Sequence, residues 1–338
     1  MNPFLPRSLK WCVTGSRPMR RQPSVLVGWI GTCCLAWGGA GPCYAASESG
    51  SAAQPDWRAV IVQLRQELDR NLDHPTARQQ LAVAHNNLAI ELMEQGSAEE
   101  GVPHLEEAVR LQPQEDDFRR NLAICHLKIA QAAYEAHRMA QAKDAIDRAL
   151  AVDSEAVDAY VLLGELHYNS QRLKEAKAAW QRVIALDPSR HDVQEKLAQL
   201  EQELPVESQF ARLSQAFFDI RFPDQIKRST GFDVRDALLL ARRKVGADFS
   251  CWPKRKLVVL VYTSAQFRQL RAESPEWLAG QFDGKIRVRL PDQESDREAA
   301  TRILFHEYTH AVVHELAGDG CPKWIDEGLA EYEAWKDA

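Results

Sequence analysis

The stretch from His306 to Tyr332, HEYTHAVVHELAGDGCPKWIDEGLAEY, gathers imidazoles and carboxylates at spacings that matter chemically. His306 and His310 are four residues apart, and on a helix that spacing puts both side chains on one face, about 5–6 Å apart at Cβ. Two imidazoles so placed can share one metal ion, and zinc accepts imidazole nitrogen at ~2.0–2.1 Å. When only three protein ligands are present, a coordination position stays open for water. Glu307 leaves the helix about 100° around from His306, so it does not join the ligand set easily but can reach that water as a general base. The alternative is a solvated amphipathic helix; against it stand the apolar residues around the histidines in HEYTHAVV and the acidic helix that follows.

The third ligand has to come from elsewhere. His314 lies eight residues past His306, about 12 Å along a straight helix, so it cannot share an ion with both other histidines and is expected to be a core or supporting residue. Asp319 and Cys321 fall in the turn-like GDGCP and are expected to be loop or disulfide residues. The helix beginning near Pro322, PKWIDEGLAEYEAW, offers Glu327 and Glu331 on one face, with Asp326 turned away. Glu327 is the expected third ligand, and Glu331, one turn on, is expected to orient a ligand histidine from behind. Gly328, costly inside a helix, is expected where this helix presses against the first.

These residues need a scaffold, and 338 residues at 45% apolar and 27% charged are enough for two or three packed units. After Pro205, taken as a boundary, strand patterns appear at 217–222, 256–262 and 285–290, with helical patterns at 230–246, 264–272, 298–317 and 323–335. A small α+β domain over 205–338 follows, with Asp283-Gly284 as a tight turn. The third strand, KIRVRL, alternates like an edge strand that could pair with an extended peptide; an ordinary internal strand is the alternative.

Residues 57–204 show helical spacing throughout. AYVLLGELHYNSQRLKEAKAAWQRVIALDP resembles the 34-residue tetratricopeptide pattern, with Leu163, Gly164, Ala176, Trp180, Val183 and Pro188 in place. Leu88, Ala89, Gly101, Leu105, Ala108 and Pro113 repeat it upstream, and Leu122, Ala123, Ala142, Ile146 and Ala149 repeat it between. The middle unit carries seven extra residues, two helical turns, which keeps its apolar face in phase. Three units with flanking helices near 57–73 and 191–203 make a tetratricopeptide solenoid, a type of array that exposes a concave surface to partners.

Residues from about 208 to 335 resemble the peptidase MA-like, or gluzincin, domain family, of which thermolysin is the familiar member. The stretches that carry the resemblance are LVVLVYTSAQF, PEWLAGQFDGKIRVRL, LFHEYTHAVV and CPKWIDEGLAEY. The resemblance implies zinc held by His306, His310 and Glu327, a catalytic Glu307, and an acid at Glu331, in an enzyme that hydrolyses peptide bonds. The related metzincin class is excluded, because its extended motif needs Gly at 313 and His at 316, where this chain has Val313 and Leu316. Gluzincins also bring a His or Tyr to the oxyanion side from a C-terminal lobe; here the nearest substitutes are Tyr332 and His314.

The N-terminal residues bear on location. A basic segment ending in Arg20-Arg21, an apolar run from Val25 to Ala40 and a Ser/Gly/Ala-rich stretch describe a signal peptide over 1–45, cleaved after Ala45 or Ala46, and a linker over 46–56. Arg20-Arg21 lacks the rest of a twin-arginine pattern, and Pro42 before Cys43 is wrong for lipid attachment. The protein is therefore expected to be exported to a periplasm, with membrane contact only if the leader is retained. Removing it leaves Cys125 as buried filler and Cys251 with Cys321 as a disulfide candidate. The net charge is −6 with five bases and no acid in residues 1–45, so the remainder is more acidic still and no nucleic acid is expected as partner. The expected function is zinc-dependent hydrolysis of exported or envelope proteins, with the repeats recruiting substrate or a partner protein. The alternative is a periplasmic interaction scaffold with a catalytically silent metal domain; the presence of Glu307 favours the enzyme, because a structural zinc site has no use for a base.

Overall fold

The computed structural model describes residues 55–71, 74–270, 279–290 and 297–336. The expected signal peptide at 1–45 lies outside the described residues, as does the 46–56 linker apart from its last two positions. Among the described residues no helix is long and apolar enough to cross a membrane.

Eight helices precede the first strand among the described residues: α1 (Trp57–Arg70), α2 (Pro75–Glu94), α3 (Ala98–Leu111), α4 (Asp116–Glu135), α5 (Met139–Val152), α6 (Val157–Asn169), α7 (Leu173–Leu186) and α8 (His191–Glu207). Asp56 starts the array by accepting the amides of Arg58 and Ala59 at 3.0 and 3.2 Å, and Pro75 opens α2, where its missing N–H costs nothing. The residues that carry the repeat pattern are its core: Leu88, Ala89, Leu105, Ala108, Leu122, Ala142, Ile146, Ala176, Trp180 and Val183 are all buried. Gly164 is needed for close approach, because a Cβ there would overlap the Trp180 indole. The seven extra residues are not peculiar to the middle unit: α2 and α4 both have 20 residues and α6 has 13, so the first two units share the longer first helix.

The remainder is α+β. A five-stranded sheet is built from β1 (Ala211–Ser214), β2 (Phe218–Phe222), β3 (Leu257–Tyr262), β4 (Gly280–Phe282) and β5 (Ile286–Arg289), in the order β1-β2-β3-β5-β4. The central β2, β3 and β5 are parallel, and β1 and β4 run antiparallel to their neighbours at the two edges. One face packs on α9 (Arg228–Phe249) and α11 (Arg297–Ala317) through Ile220, Val259, Val261, Ile286, Val288, Leu304 and Val312. The other face sets Val258, Leu260 and Tyr262 against α10 (Ser264–Leu270) and against Val206 and Phe210 near the end of α8. Burial on both faces explains why β3 is an unbroken apolar run.

Two expectations change here. KIRVRL is the internal strand of the two alternatives: β5 lies between β3 and β4, and the edge belongs to the three-residue β4, too short to announce itself by alternation. Lys285 and Arg287 in this stretch are buried, at 0% and 1% exposure. The helical pattern does not stop at Pro205 either, since α8 runs on to Glu207.

The burial of Lys285 and Arg287 and the continuation of α8 to Glu207 share a cause. Arg287 binds Glu207 Oε1 at 2.6 Å, Glu203 Oε1 at 3.2 Å, Asp283 Oδ2 at 3.0 Å and the hydroxyls of Tyr262 and Tyr168 at 2.6 and 2.8 Å. Lys285 donates to Gln171 Oε1 at 2.8 Å and stands 3.4 Å from the centre of the Tyr168 ring. The partners come from α6, the turn after it, and α8, so the last repeat helices are joined to the sheet by a buried ionic junction, and residues 55–338 form one compact unit.

Two stability measurements follow. Arg287→Met leaves Glu203 and Glu207 buried without their cation and is expected to cost about 3–5 kcal/mol in denaturant unfolding, partly restored by adding Glu207→Gln. Gly164→Ala forces a methyl group into Trp180 and is expected to cost about 1–3 kcal/mol by the same measurement.

Candidate metal centre

Helix α11 lies on the sheet through Leu304, Tyr308, Ala311 and Val312, so the faces between those positions look outward. A short turn at Gly318–Gly320 reverses the chain into α12 (Lys323–Lys336), which packs along α11. Edge strand β4, α11 and α12 enclose a cleft of about 1380 Å³ whose walls include Gly280, Phe282, His306, Glu307, His310, Glu327 and Glu331. A second cavity of about 750 Å³ opens between the first turns of α9 and α11. Among the described residues the one group able to hold a metal ion is in the cleft.

That group is His306, His310 and Glu327. His306 Nε2 and His310 Nε2 are 3.2 Å apart, and Glu327 Oε2 stands 3.5 Å from the first and 3.7 Å from the second. Ligand atoms held ~2.0–2.1 Å from a tetrahedral ion are separated by roughly 3.3–3.4 Å, so this near-equilateral triangle has the size that zinc requires. Burial, followed by the neighbouring His310, holds the His306 imidazole below its ordinary pKa, with Glu327 and Glu331 opposing. That favours the neutral ring, the form that can donate a lone pair to a metal.

Glu307 is buried and faces the cleft beside this triangle. Its carboxylate lies against the backbone of Gly280 on β4, where a Cβ would collide with it. The Oε2 atom has no hydrogen-bond partner, a costly condition for a buried oxygen unless it serves a proton donor from the cleft. Burial is the main cause that pushes the Glu307 carboxyl up to about 8, and the charges of Glu327, Asp283 and Asp326 push the same way.

Behind the histidines the acids are arranged differently from the sequence expectation. Asp326 is not turned away: its Oδ1 meets His310 Nδ1 at 2.8 Å. The two ring nitrogens of one imidazole point apart, so His310 stands between adjacent residues of α12, with Glu327 on one side and Asp326 on the other. Helix spacing alone gives directions around α12 but not the position of α11 across it. Glu331 is beside His306 Nδ1 at 3.6 Å and accepts the Trp335 indole N–H at 2.5 Å. Gly328 has open space around it and so does not bring the helices together. Cys251 and Cys321 are free thiols rather than a disulfide: Cys251 packs against the sheet core while Cys321 lines the cleft at the entry to α12. Cys125 is fully buried, and burial pushes its thiol up to about 11. Of the two substitutes for an oxyanion-side residue, His314 lines the cleft, whereas Tyr332 is 60% exposed.

Glu307 also makes the metal-free protein pH-sensitive. With its folded-state pKa raised to about 8 from an ordinary 4.5, the folded chain keeps a proton that the unfolded chain has lost, so stability falls as pH rises between those values. The melting temperature of chelator-treated protein is expected to drop from pH 5.5 to pH 8.5, with a smaller drop for Glu307→Gln.

The family model for the tetratricopeptide repeat matches residues 86–129 and 127–191. Similar solved structures include the first such domain of Spaghetti (RPAP3) bound to an HSP90 peptide, 21% identical over 38% of this chain and 95% of that one, with a TM-score of 0.28. The Arabidopsis OM64 domain is 19% identical over 36% of this chain and 96% of that one, at a TM-score of 0.27. MamA is 16% identical over 45% of this chain and 81% of that one, at 0.28. No curated protein matches the sequence. The helical array over residues 86–191 is made of tetratricopeptide repeats.

Proposed function

We propose that this chain is a zinc-dependent peptidase of the gluzincin kind, in which the repeats hold a substrate or partner protein close to the cleft. The observation that carries the proposal is the triangle of His306 Nε2, His310 Nε2 and Glu327 Oε2, at 3.2, 3.5 and 3.7 Å, beside the partnerless Glu307 Oε2. When bound there, zinc would act as a Lewis acid toward a peptide carbonyl and make a water acidic near neutral pH. Glu307 takes the proton of the attacking water on Oε2 and passes it to the leaving amine. Asp326 fixes the His310 ring by accepting from Nδ1, and Glu331 lies against the back of His306. The outer edge of β4, which no described strand pairs, offers backbone groups to an extended substrate. Export to a periplasm is proposed from the leader pattern of residues 1–45.

A second function, an interaction scaffold whose metal domain is silent, is supported by the tetratricopeptide match over 86–191. The two are separated by zinc analysis together with cleavage of an unbiased peptide library. The peptidase predicts about one zinc per chain, lost in His306→Ala, and turnover reduced by at least about 100-fold in Glu307→Gln with zinc retained. Equal turnover by the wild type and Glu307→Gln removes Glu307 from its role, and zinc without hydrolysis alongside one tightly co-purifying partner supports the scaffold.

A further inference from the structure

The cleft extends beyond the triangle. His314 is seven residues past Glu307, on nearly the same face of α11 and about 10.5 Å along it. Strand β4 follows that distance: Gly280 abuts the Glu307 carboxylate, and the Phe282 ring stands 5.8 Å from the His314 ring. An extended peptide rises ~3.3 Å per residue, so a chain lying along β4 covers the interval in about three residues.

The far end is basic, unlike the end at the triangle. Arg255, half-buried in the loop before β3, stands 5.9 Å from the centre of the Phe282 ring, and the described residues give it no hydrogen bond or ion pair. Burial pulls its pKa below the ordinary value, with Tyr134, Glu315 and Asp283 opposing. The turn after α4 brings His137 to the same corner, 3.6 Å from Glu315 Oε2. Burial depresses His137, with Arg255, His314 and Lys254 pushing the same way and Glu315 opposing, so its ring is held toward the neutral form that hydrogen-bonds, and the guanidinium of Arg255 supplies the charge of the corner. Glu315 and Asp283 are the acids that act on Arg255, and Asp283 is also engaged by Arg287 at 3.0 Å. At the other end stand Asp326, Glu327 and Glu331.

We propose that the corner formed by Arg255, His314 and His137 is a carboxylate-binding subsite, which holds an acidic group of a peptide about three residues from the bond cleaved beside Glu307. The inference rests on the peptidase function and gives it a substrate class. A carboxylate is repelled by the acids around the histidines and attracted to the corner, so the charge polarity of the cleft sets the register of the bound peptide.

The test uses the full chain carrying Glu307→Gln and fluorescein-labelled decapeptides in an anisotropy titration. One peptide set has amidated C-termini and a Glu or a Gln at each position in turn; a further peptide has no acidic side chain and a free C-terminus. A Glu peptide is expected to bind about tenfold more tightly than its Gln twin, the gain shrinking at 0.5 M salt and vanishing in Arg255→Met. A gain confined to the free C-terminus identifies the main-chain carboxylate as the ligand. Equal binding of all three peptide types overturns the subsite. If circular dichroism shows Arg255→Met unfolded, His314→Gln replaces it, with the same loss of preference expected. Cleavage by the wild type separates the two ideas: turnover with no acid preference removes the subsite and leaves the peptidase, whereas acid-selective binding with no turnover removes the peptidase and leaves the binding site.

Discussion

The buried guanidinium of Arg287 is the constraint on which the rest of the molecule depends. It stands on a central strand with its charge removed from water, a condition tolerable only if acids come to it. Those acids, Glu203 and Glu207, are on α8, and the tyrosines that complete its shell come from α6 and β3. Folding the sheet therefore requires the last repeat helices to be in place, and the array and the α+β part cannot separate without exposing or stranding that charge. The junction also steadies β5, against which β4 pairs, and β4 is the wall that presses on Glu307.

The cleft works by the opposite device. Its polar groups are only partly compensated: Asp326 meets His310 and Glu331 accepts from Trp335, but two imidazoles and three carboxylates crowd together and Glu307 keeps an unpaired oxygen. Such a set is electrostatically unfavourable by itself and favourable around a divalent cation. The carboxylic acid of Glu307 is pushed up to about 8 mainly by burial, with the charges of Glu327, Asp283 and Asp326 adding to it. A satisfied ionic network behind the sheet holds the shape of the molecule, and the crowded polar set in front of it is where a ligand would be compensated.

The repeats contribute more than a surface for partners. The end of α4 and the turn after it set Tyr134 against Asn169 and His137 against Glu315 near the end of α11, so one repeat touches the helix that bears both histidines.

Local patterns in the sequence determined a good deal. Periodicity gives the repeat helices, the three central strands and α11 and α12 to within a few residues, because burial on a regular element leaves a regular trace. The four-residue spacing of His306 and His310 and the position of Glu327 depend on helix geometry and one short turn, and both are local. What only the tertiary structure decided depends on which surfaces meet. Arg287 and Lys285 are buried because α8 covers them; Asp326 looks averted until α11 is laid across α12; Cys251 and Cys321 look like a pair until the core claims one and the cleft the other. A residue type and its spacing give the direction of a side chain on its own element, but the identity of its partner is set by the packing of elements far apart in the chain.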